Sequence, residues 1–492
     1  MCSLDSAKTK STYIPQERPE ELLFEGAVEM GPGFIEHMDR IDRGEIIVQK
    51  SGTDQPDPIR DFSQGIVNEQ IKCNIAKCGY SVPTSVQQYA IPCVSAGRDT
   101  IACAPTGLGK TAAFLLPVLD QMLQRQMCTP AASHDMQEPV CLILEPTREL
   151  ADQVFNECRK FSRGTVVEPV VSYGGTHVRD NIRRLQRGCT ILIGTPGRIT
   201  QLHREGYISF GRCRFLILDE ADKLLDIEHF EANVRELIRD SRMPPKDRRQ
   251  TLMFSATFPE GIQLLARDFL DNFLFLAVGV IGGANPDVQQ QFVKVKHGDK
   301  KNELLRLLYE DFQAGSKHSK TMVFVERKRN VDFLTSVLCQ NDLRAMSIHG
   351  DRSQQQREEA LHQFKSGDFS ILVSTEVAGR GLDIEGVDHV INYDLPFKTD
   401  IYVHRIGRCG RIGNRGRATS FYTDRDRDLA PGLVKCLQQV NQTVPAWMQA
   451  DAERAVTTGR VVVGRGSFGN LSAAQKKAAS GNSAFSEKSS KG

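Results

Sequence analysis

Short apolar runs alternate with helix-patterned segments along most of this chain, and that alternation restricts its fold more than any other feature. The runs IACA at 101–104, CLIL at 141–144, ILIG at 191–194, FLIL at 215–218 and LMFS at 252–255 are of strand length. Helical periodicity follows the first two, through Phe114 to Leu123 and through Val154. A strand buried on both faces reads as a continuous apolar run, and strands alternating with helices imply a parallel sheet covered on both sides. The pattern stops at 279–286, which holds three glycines and a proline. It then restarts with VKVK at 293–296, MVFV at 322–325, AMSIH at 345–349, ILVS at 371–374, HVIN at 389–392 and ATSFY at 418–422. We therefore expect one α/β domain over 58–278, a linker over 279–290 and a second α/β domain over 291–446. The halves share architecture without a detectable sequence repeat.

The outer segments differ. Residues 1–57 mix Pro, Glu and Gly with few aromatics and read as a partly disordered arm, in which Leu22-Leu23-Phe24 and Phe34-Ile35 are candidates to dock on a domain. Residues 447–492 are rich in Gly, Ser and Ala and carry seven Lys or Arg against three Asp or Glu. They read as a flexible basic tail, either simply solvated or a salt-sensitive nucleic-acid tether. The 492-residue chain as a whole carries a net charge of only +2, so any anionic partner must meet locally placed charge. The 13 cysteines are odd in number and contain no C-x-x-C pair; Cys73 and Cys78 lack partners for a zinc site, and a reducing compartment is expected. No run of 18 apolar residues suggests a membrane span, and the start Met-Cys-Ser-Leu-Asp lacks a signal-peptide pattern, which points to cytosol or nucleus.

Two motifs carry chemistry. Ala104-Pro-Thr-Gly-Leu-Gly-Lys-Thr111 follows a strand and opens a helix. From Thr106 on, Gly107 and Gly109 let backbone N–H groups turn toward phosphate oxygens at a helix N-terminus, Lys110 can reach the β/γ-phosphates, and the Thr111 hydroxyl can ligate Mg²⁺. FLILDEAD at 215–222 then places Asp219 at a strand end, where a carboxylate holds Mg²⁺, with Glu220 beside it to polarise an attacking water.

Together these motifs resemble the DEAD-box RNA helicase family, and the match runs from about 58 to 446 with the motifs in family order. The resemblance implies two tandem RecA-like parallel-sheet domains, joined by a short linker and flanked by flexible tails, that close over ATP and one RNA strand. Gly79-Tyr-Ser-Val-Pro-Thr-Ser-Val-Gln87 is similar to the adenine-reading segment, with the Gln87 amide on the adenine edge. Phe62, seventeen residues before Gly79, matches the family aromatic that stacks on the base, although a phenylalanine there serves equally well as core. Pro146, Thr147, Arg148, Gly175 (after Gly174), Thr195, Pro196, Gly197 and Arg198 resemble first-domain contacts to the RNA backbone. Ser255 and Thr257 resemble the element coupling ATP state to strand separation, and they also suit a helix cap. In the second domain Gln354, Arg357 and Thr375 resemble RNA-binding positions, Asp383 a contact to the ATP ribose, and Arg408 and Arg411 arginine fingers.

Four positions depart from the family's commoner residues: Pro105, Leu108, Gly379 and Cys409. None removes a charged catalytic group. Within the family the Vasa-like branch is suggested by Thr12-Tyr-Ile-Pro15, Leu23-Phe-Glu-Gly26, Val48-Gln-Lys-Ser-Gly52 and Val280-Ile-Gly-Gly-Ala-Asn-Pro-Asp-Val288; a translation-linked branch shares some of these. The resemblance implies ATP and Mg²⁺ as cofactors and single-stranded RNA or short RNA duplexes as partners. It also implies germ-granule or translation-factor proteins, a monomeric catalytic core and no membrane. The expected location is cytoplasmic, perinuclear germ granules included, with the nucleus left open. The expected function is an RNA-dependent ATPase that unwinds short duplexes; the alternative is a slow ATP-gated RNA clamp, which uses the same residues, and a DNA translocase is the third reading. Stimulation by RNA against DNA, and the phosphate-release rate, separate them.

Overall fold

The computed structural model describes residues 13–15, 17–24, 40, 43, 48–128, 136–226, 229–313, 320–376, 386–410 and 415–457. The first sheet has strands β1 (Val48–Ser51), β2 (Thr100–Cys103), β3 (Cys141–Leu144), β4 (Pro169–Ser172), β5 (Ile191–Gly194), β6 (Phe215–Leu218), β7 (Gln250–Ser255) and β8 (Leu274–Val278). Their spatial order is β1-β8-β2-β7-β6-β3-β5-β4, and every pairing is parallel except the antiparallel β1·β8. Every residue of β2, β3, β5, β6, β7 and β8 is buried, as expected of strands covered on both faces. One face carries the core of Phe114, Phe161 and Phe254; the other carries that of Phe210, Leu237 and Phe269.

The second sheet contains β9 (Val288–Lys294), β10 (Lys320–Val325), β11 (Ala345–Ile348), β12 (Ile371–Thr375), β13 (Val387–Asn392) and β14 (Gly416–Tyr422) in the order β11-β12-β10-β13-β14-β9, all parallel. It too has a core on each face. These are two RecA-like parallel-sheet units.

The helices that position the site are α1 (Ser85–Ser95), α2 (Lys110–Gln124), α3 (Arg148–Ser162), α4 (Val178–Gln186), α5 (Pro196–Arg204), α6 (Ala221–Asp226), α7 (Gln354–Ser366) and α8 (Thr399–Ile406). Each of α3, α5 and α6 begins within four residues of a strand end and α2 begins seven residues after β2, so their N-termini collect at one edge of the sheet. That is where ligands bind in open α/β folds. Among the described residues no helix is long and apolar enough to cross a membrane.

Three boundaries differ from the sequence expectation. β1 lies inside the stretch read as arm and extends the first sheet through its pairing with β8. β9 begins at Val288, inside the stretch read as linker; its Val-Gln-Gln-Gln-Phe-Val-Lys sequence forms a polar edge strand that an apolar pattern misses. The tail begins as a helix, α9 (Ala446–Thr457), which buries Met448 and Ala452 in the second-domain core. Of the proposed arm anchors, Leu23 is buried, Leu22 is exposed, and Phe34 and Ile35 lie outside the described residues.

Candidate nucleotide and RNA site

The phosphate loop leaves β2 and enters α2 through Gly109, which has a left-handed φ of 75° and is the residue preceding the first helical turn. A Cβ on Gly109 would stand 2.5 Å from Gln87 Nε2, so glycine is required twice over, by backbone and by space. The contact has a purpose. Gln87 Nε2 donates to Gly109 O at 3.1 Å, Gln87 Oε1 accepts from Thr84 N at 2.9 Å, and Thr84 Oγ1 donates to Leu108 O at 2.7 Å. The start of α1 therefore braces the loop. Gln87 is fully buried, and its amide makes one bond of this brace at each end. Phe62 is buried and makes a T-shaped contact with Tyr80, ring centroids 6.4 Å apart. Leu108 joins the same buried cluster as Phe62 and Val86. Lys110 folds back on the loop, donating from Nζ to Ala104 O at 2.8 Å. Thr106, Gly107 and Thr111 are half-buried around the cradle.

Asp219 and Glu220 leave β6 at the same edge, both buried. Glu220 has a φ of +44°, a costly backbone for a side chain of its size. Its Oε2 pairs with Lys223 Nζ at 2.5 Å. Burial alone would raise the Glu220 carboxyl, but the charges of Lys223 and Arg408, the Lys223 hydrogen bond and Lys110 outweigh it and bring it down to about 2. Asp219 behaves oppositely: burial and the Glu220 charge push it up to about 7. Glu145, the residue after β3, is fully buried and neither carboxyl oxygen has a hydrogen-bond partner. Burial, then Asp219 and Glu220, push it well above the carboxylate range. A pocket with this excess of buried carboxyls fits a divalent cation. Among the described residues no three acidic, His or Cys side chains can chelate one unaided, as suits Mg²⁺ sites completed by phosphate oxygens and water.

The second domain closes this pocket. Arg408 is buried, acts electrostatically on Glu220, and donates from Nε to His404 O at 3.3 Å. A Cβ placed on Gly407 would lie 3.7 Å from Thr106 Cβ of the phosphate loop. His404 Nε2 stands 3.5 Å from Asp222 Oδ2, which also accepts from Ala256 N, Thr257 N and Thr257 Oγ1 at 3.3, 2.9 and 2.8 Å. Asp222 thus joins the Ser255–Thr257 turn to the second domain. Burial opposes its charge, yet His404, Lys223 and Thr257 hold its carboxyl far below the usual range. Ser255 Oγ is buried without a hydrogen-bond partner.

A second group of expected residues meets along the α3–α7 seam. Thr147 caps α3, accepting from Leu150 N at 3.3 Å; Pro146 precedes it. A Cβ on Gly175, φ +85°, would collide with Arg148 Nη1 at 2.2 Å. Arg148 Nη1 donates to Gln354 Oε1 at 3.2 Å, and Arg357 Nη2 pairs with Glu149 Oε1 at 2.7 Å. Thr195 and Pro196 begin α5; Arg198 Nη2 donates to Thr176 O at 3.3 Å while Nη1 has no hydrogen-bond partner, and open space surrounds Gly197. Thr375 closes β12. Asp383 and Arg411, with Gly379, lie outside the described residues. Glu145, Glu149, Asp222, Lys223 and His404 were not singled out from sequence. Glu149, Asp222 and His404 sat within the motif stretches 146–150, 215–222 and 404–411, whereas nothing local marked Glu145 and Lys223.

Residues 84–265 match the family described as DEAD/DEAH box helicase, and residues 299–413 match the helicase conserved C-terminal domain. The ATP-dependent RNA helicase DDX4 of Mus musculus is 48% identical over 451 residues, which is 91% of this chain and 62% of that protein. The probable ATP-dependent RNA helicase DDX4 of Homo sapiens is 47% identical over 91% of this chain and 60% of its own length. The chain therefore spans about three-fifths of the relatives it matches. Among solved structures, Mss116p bound to ssRNA and AMP-PNP superposes with a TM-score of 0.69 at 26% identity, covering 82% of this chain and 84% of that one. S. cerevisiae Dbp5 bound to RNA and ADP BeF3 shares the fold at a TM-score of 0.66 and 24% identity, covering 81% of this chain and 100% of that one. With both family domains in order and this identity along nine-tenths of its length, the chain belongs to the DEAD-box helicase family, on its Vasa-type DDX4 branch.

Proposed function

We propose that this chain is an ATP-dependent RNA helicase, an RNA-stimulated ATPase that separates short duplexes and remodels RNA–protein complexes. The observation that carries the reading is Arg408, a second-domain guanidinium buried in the electrostatic field of first-domain Glu220. ATP binds with its phosphates in the Thr106–Thr111 loop, held by backbone N–H groups and by Lys110, which leaves Ala104 O to reach them. Thr111 and Asp219 would hold Mg²⁺, which would supply neutralisation of phosphate charge. Phe62 and Gln87 shape the base side of the site, Gln87 through the loop it braces. Asp383 serves the ribose.

Glu220, held ionised by Lys223 and Arg408, orients the attacking water by accepting its hydrogen bond. Arg408 approaches from the opposite domain and stabilises charge on the transferring phosphoryl group, a role the family resemblance extends to Arg411. Arg148, Gly175, Thr195, Gly197, Arg198, Gln354, Arg357 and Thr375 grip one RNA strand by its sugar–phosphate side, which displaces the partner strand and reads the 2′-OH. Ser255 and Thr257, through Asp222 and His404, tie that grip to the nucleotide. The branch suggests germline RNA regulation in cytoplasmic granules, with partners in small-RNA and translational control.

Phosphate release by the purified chain, with and without single-stranded RNA, tests the reading. RNA should stimulate it and DNA should not. Equal stimulation by both would overturn the assignment to RNA, and slow turnover with persistent RNA binding would favour a clamp.

A further inference from the structure

Residues 13–15 and 17–24 lie as a strap over the first domain. Tyr13 O accepts from His177 N at 2.9 Å, Arg184 Nη2 donates to Pro15 O at 3.1 Å, and Arg184 Nη1 pairs with Glu17 at 2.6 Å. Arg159 Nη1 donates to Arg18 O at 2.8 Å, Leu23 is 2% exposed, and Arg163 lies over the Phe24 ring at 5.6 Å. All these anchors belong to α3, to the residue just after it, or to α4 and the residue before it, so the strap's main chain moves with the first domain.

Its Tyr13 side chain does not stay there. The hydroxyl donates to Glu358 Oε2 on α7 of the second domain. Glu358 Oε1 in turn accepts from Gln354 Nε2 at 3.1 Å, and Gln354 Oε1 accepts from Arg148 Nη1 at 3.2 Å. The chain Tyr13–Glu358–Gln354–Arg148 therefore leaves the first domain, passes along one face of α7 and returns to the first domain. Residues 354 and 358 are one helical turn apart, so a single helix face carries both links. Two of its members are among the RNA-gripping residues proposed above.

We propose that Tyr13 is a positioning residue for RNA binding, latching the strap to Glu358 only when the two domains are together and so setting Gln354 and Arg148 for the RNA strand. The inference rests on the functional reading above. An interaction made in one state and absent in the other shifts the equilibrium by its own free energy. The hydroxyl's backbone anchor and its acceptor lie on different domains, so the bond is lost on opening. Half-buried Asp152 and Glu149 lie near Glu358 and oppose its charge, which makes a donor at Tyr13 the favourable partner.

Tyr13→Phe, Glu358→Gln and the double variant are compared in the full chain, using a single-stranded uridine oligonucleotide and AMP-PNP. Tyr13→Phe should weaken RNA binding in the presence of AMP-PNP by about tenfold, or about 1.4 kcal/mol. RNA binding without nucleotide should stay the same, KM for RNA should rise more than kcat falls, and the double variant should lose little more than either single one. Unchanged RNA affinity in Tyr13→Phe, equal losses with and without nucleotide, or fully additive losses would overturn the latch. Interdomain FRET on AMP-PNP addition separates the two readings. A wild-type chain that closes but ignores RNA defeats the functional reading, and normal closure in Tyr13→Phe defeats the latch.

Discussion

Arg357 of the second domain pairs with Glu149 of the first at 2.7 Å, and both side chains are largely buried. Each sits one residue or one turn from a partner in the neighbouring Arg148–Gln354 hydrogen bond, so the seam holds its cations in place by carboxylates and amides before any RNA arrives. Removing one partner of such a pair leaves the other charge buried and uncompensated, at a cost of ~3–5 kcal/mol. Arg357→Ala should therefore lose most RNA-stimulated ATP turnover while ATP affinity without RNA stays within about twofold. Steady-state rates with and without RNA, beside an RNA-free ATP titration, check this.

Glu220→Gln should keep ATP and RNA binding and block hydrolysis, leaving a long-lived RNA complex. The amide retains the shape but loses the charge that Lys223 and Arg408 face. Single-turnover phosphate release and RNA dissociation measured with ATP are the two readouts; wild-type turnover would remove Glu220 from the chemistry.

Arg408→Ala should lower kcat by ~10³ or more, the range for a lost arginine finger. Its guanidinium comes from the second domain, so nucleotide binding measured on the open, RNA-free protein should change little. The same substitution at Arg411 is expected to act alike. A normal RNA-stimulated rate in either variant would exclude that residue from the mechanism.

Leu108→Ser should shift the RNA-free ATP Kd less than about tenfold, roughly 1.4 kcal/mol. The Leu108 carbonyl, not its side chain, is held by Thr84, and the side chain lies in the core beside the brace. The larger effect should be on stability, because a mostly buried leucine is worth ~1.5–3 kcal/mol. Thermal melts and isothermal titration separate the two. A much larger loss of RNA-free affinity would show that the side chain shapes the cradle itself.

Glu145→Met should raise the melting temperature of the metal-free protein. It replaces two unpartnered buried oxygens by apolar atoms of similar length, relieving a desolvation cost of ~1–3 kcal/mol. For a domain of this size that corresponds to a few degrees, about 2–4 °C per kcal/mol. Saturating Mg²⁺ and nucleotide should narrow the difference if the carboxyl faces a bound cation. A lower melting temperature would mean that Glu145 is held by partners.

The nucleotide cradle was legible in the sequence because its parts are close along the chain. A strand, a Gly-Leu-Gly turn and a helix start place Lys110 and Thr111 by local geometry, and four apolar residues before Asp219 mark a strand end. Both parallel sheets were legible for the same reason, since burial on two faces writes itself as short apolar runs. β9 and β1 escaped because edge strands tolerate polar residues, and α9 because a short helix in a Gly- and Ser-rich tail declares itself only by what it packs against. Phe62 and Gln87 show what the fold adds within one domain: their residue types suit a base-binding surface, and packing sets Phe62 against Tyr80 and Gln87 against Gly109. Across the domains nothing local remains to read. Arg148 meets Gln354 from 206 residues away and Tyr13 meets Glu358 from 345. Residue type and spacing determined which groups this protein can offer to phosphate, metal and RNA. Only the docking of two separately folded sheets decided which of them face one another, because a contact between domains depends on how whole surfaces fit and leaves no periodicity in either sequence.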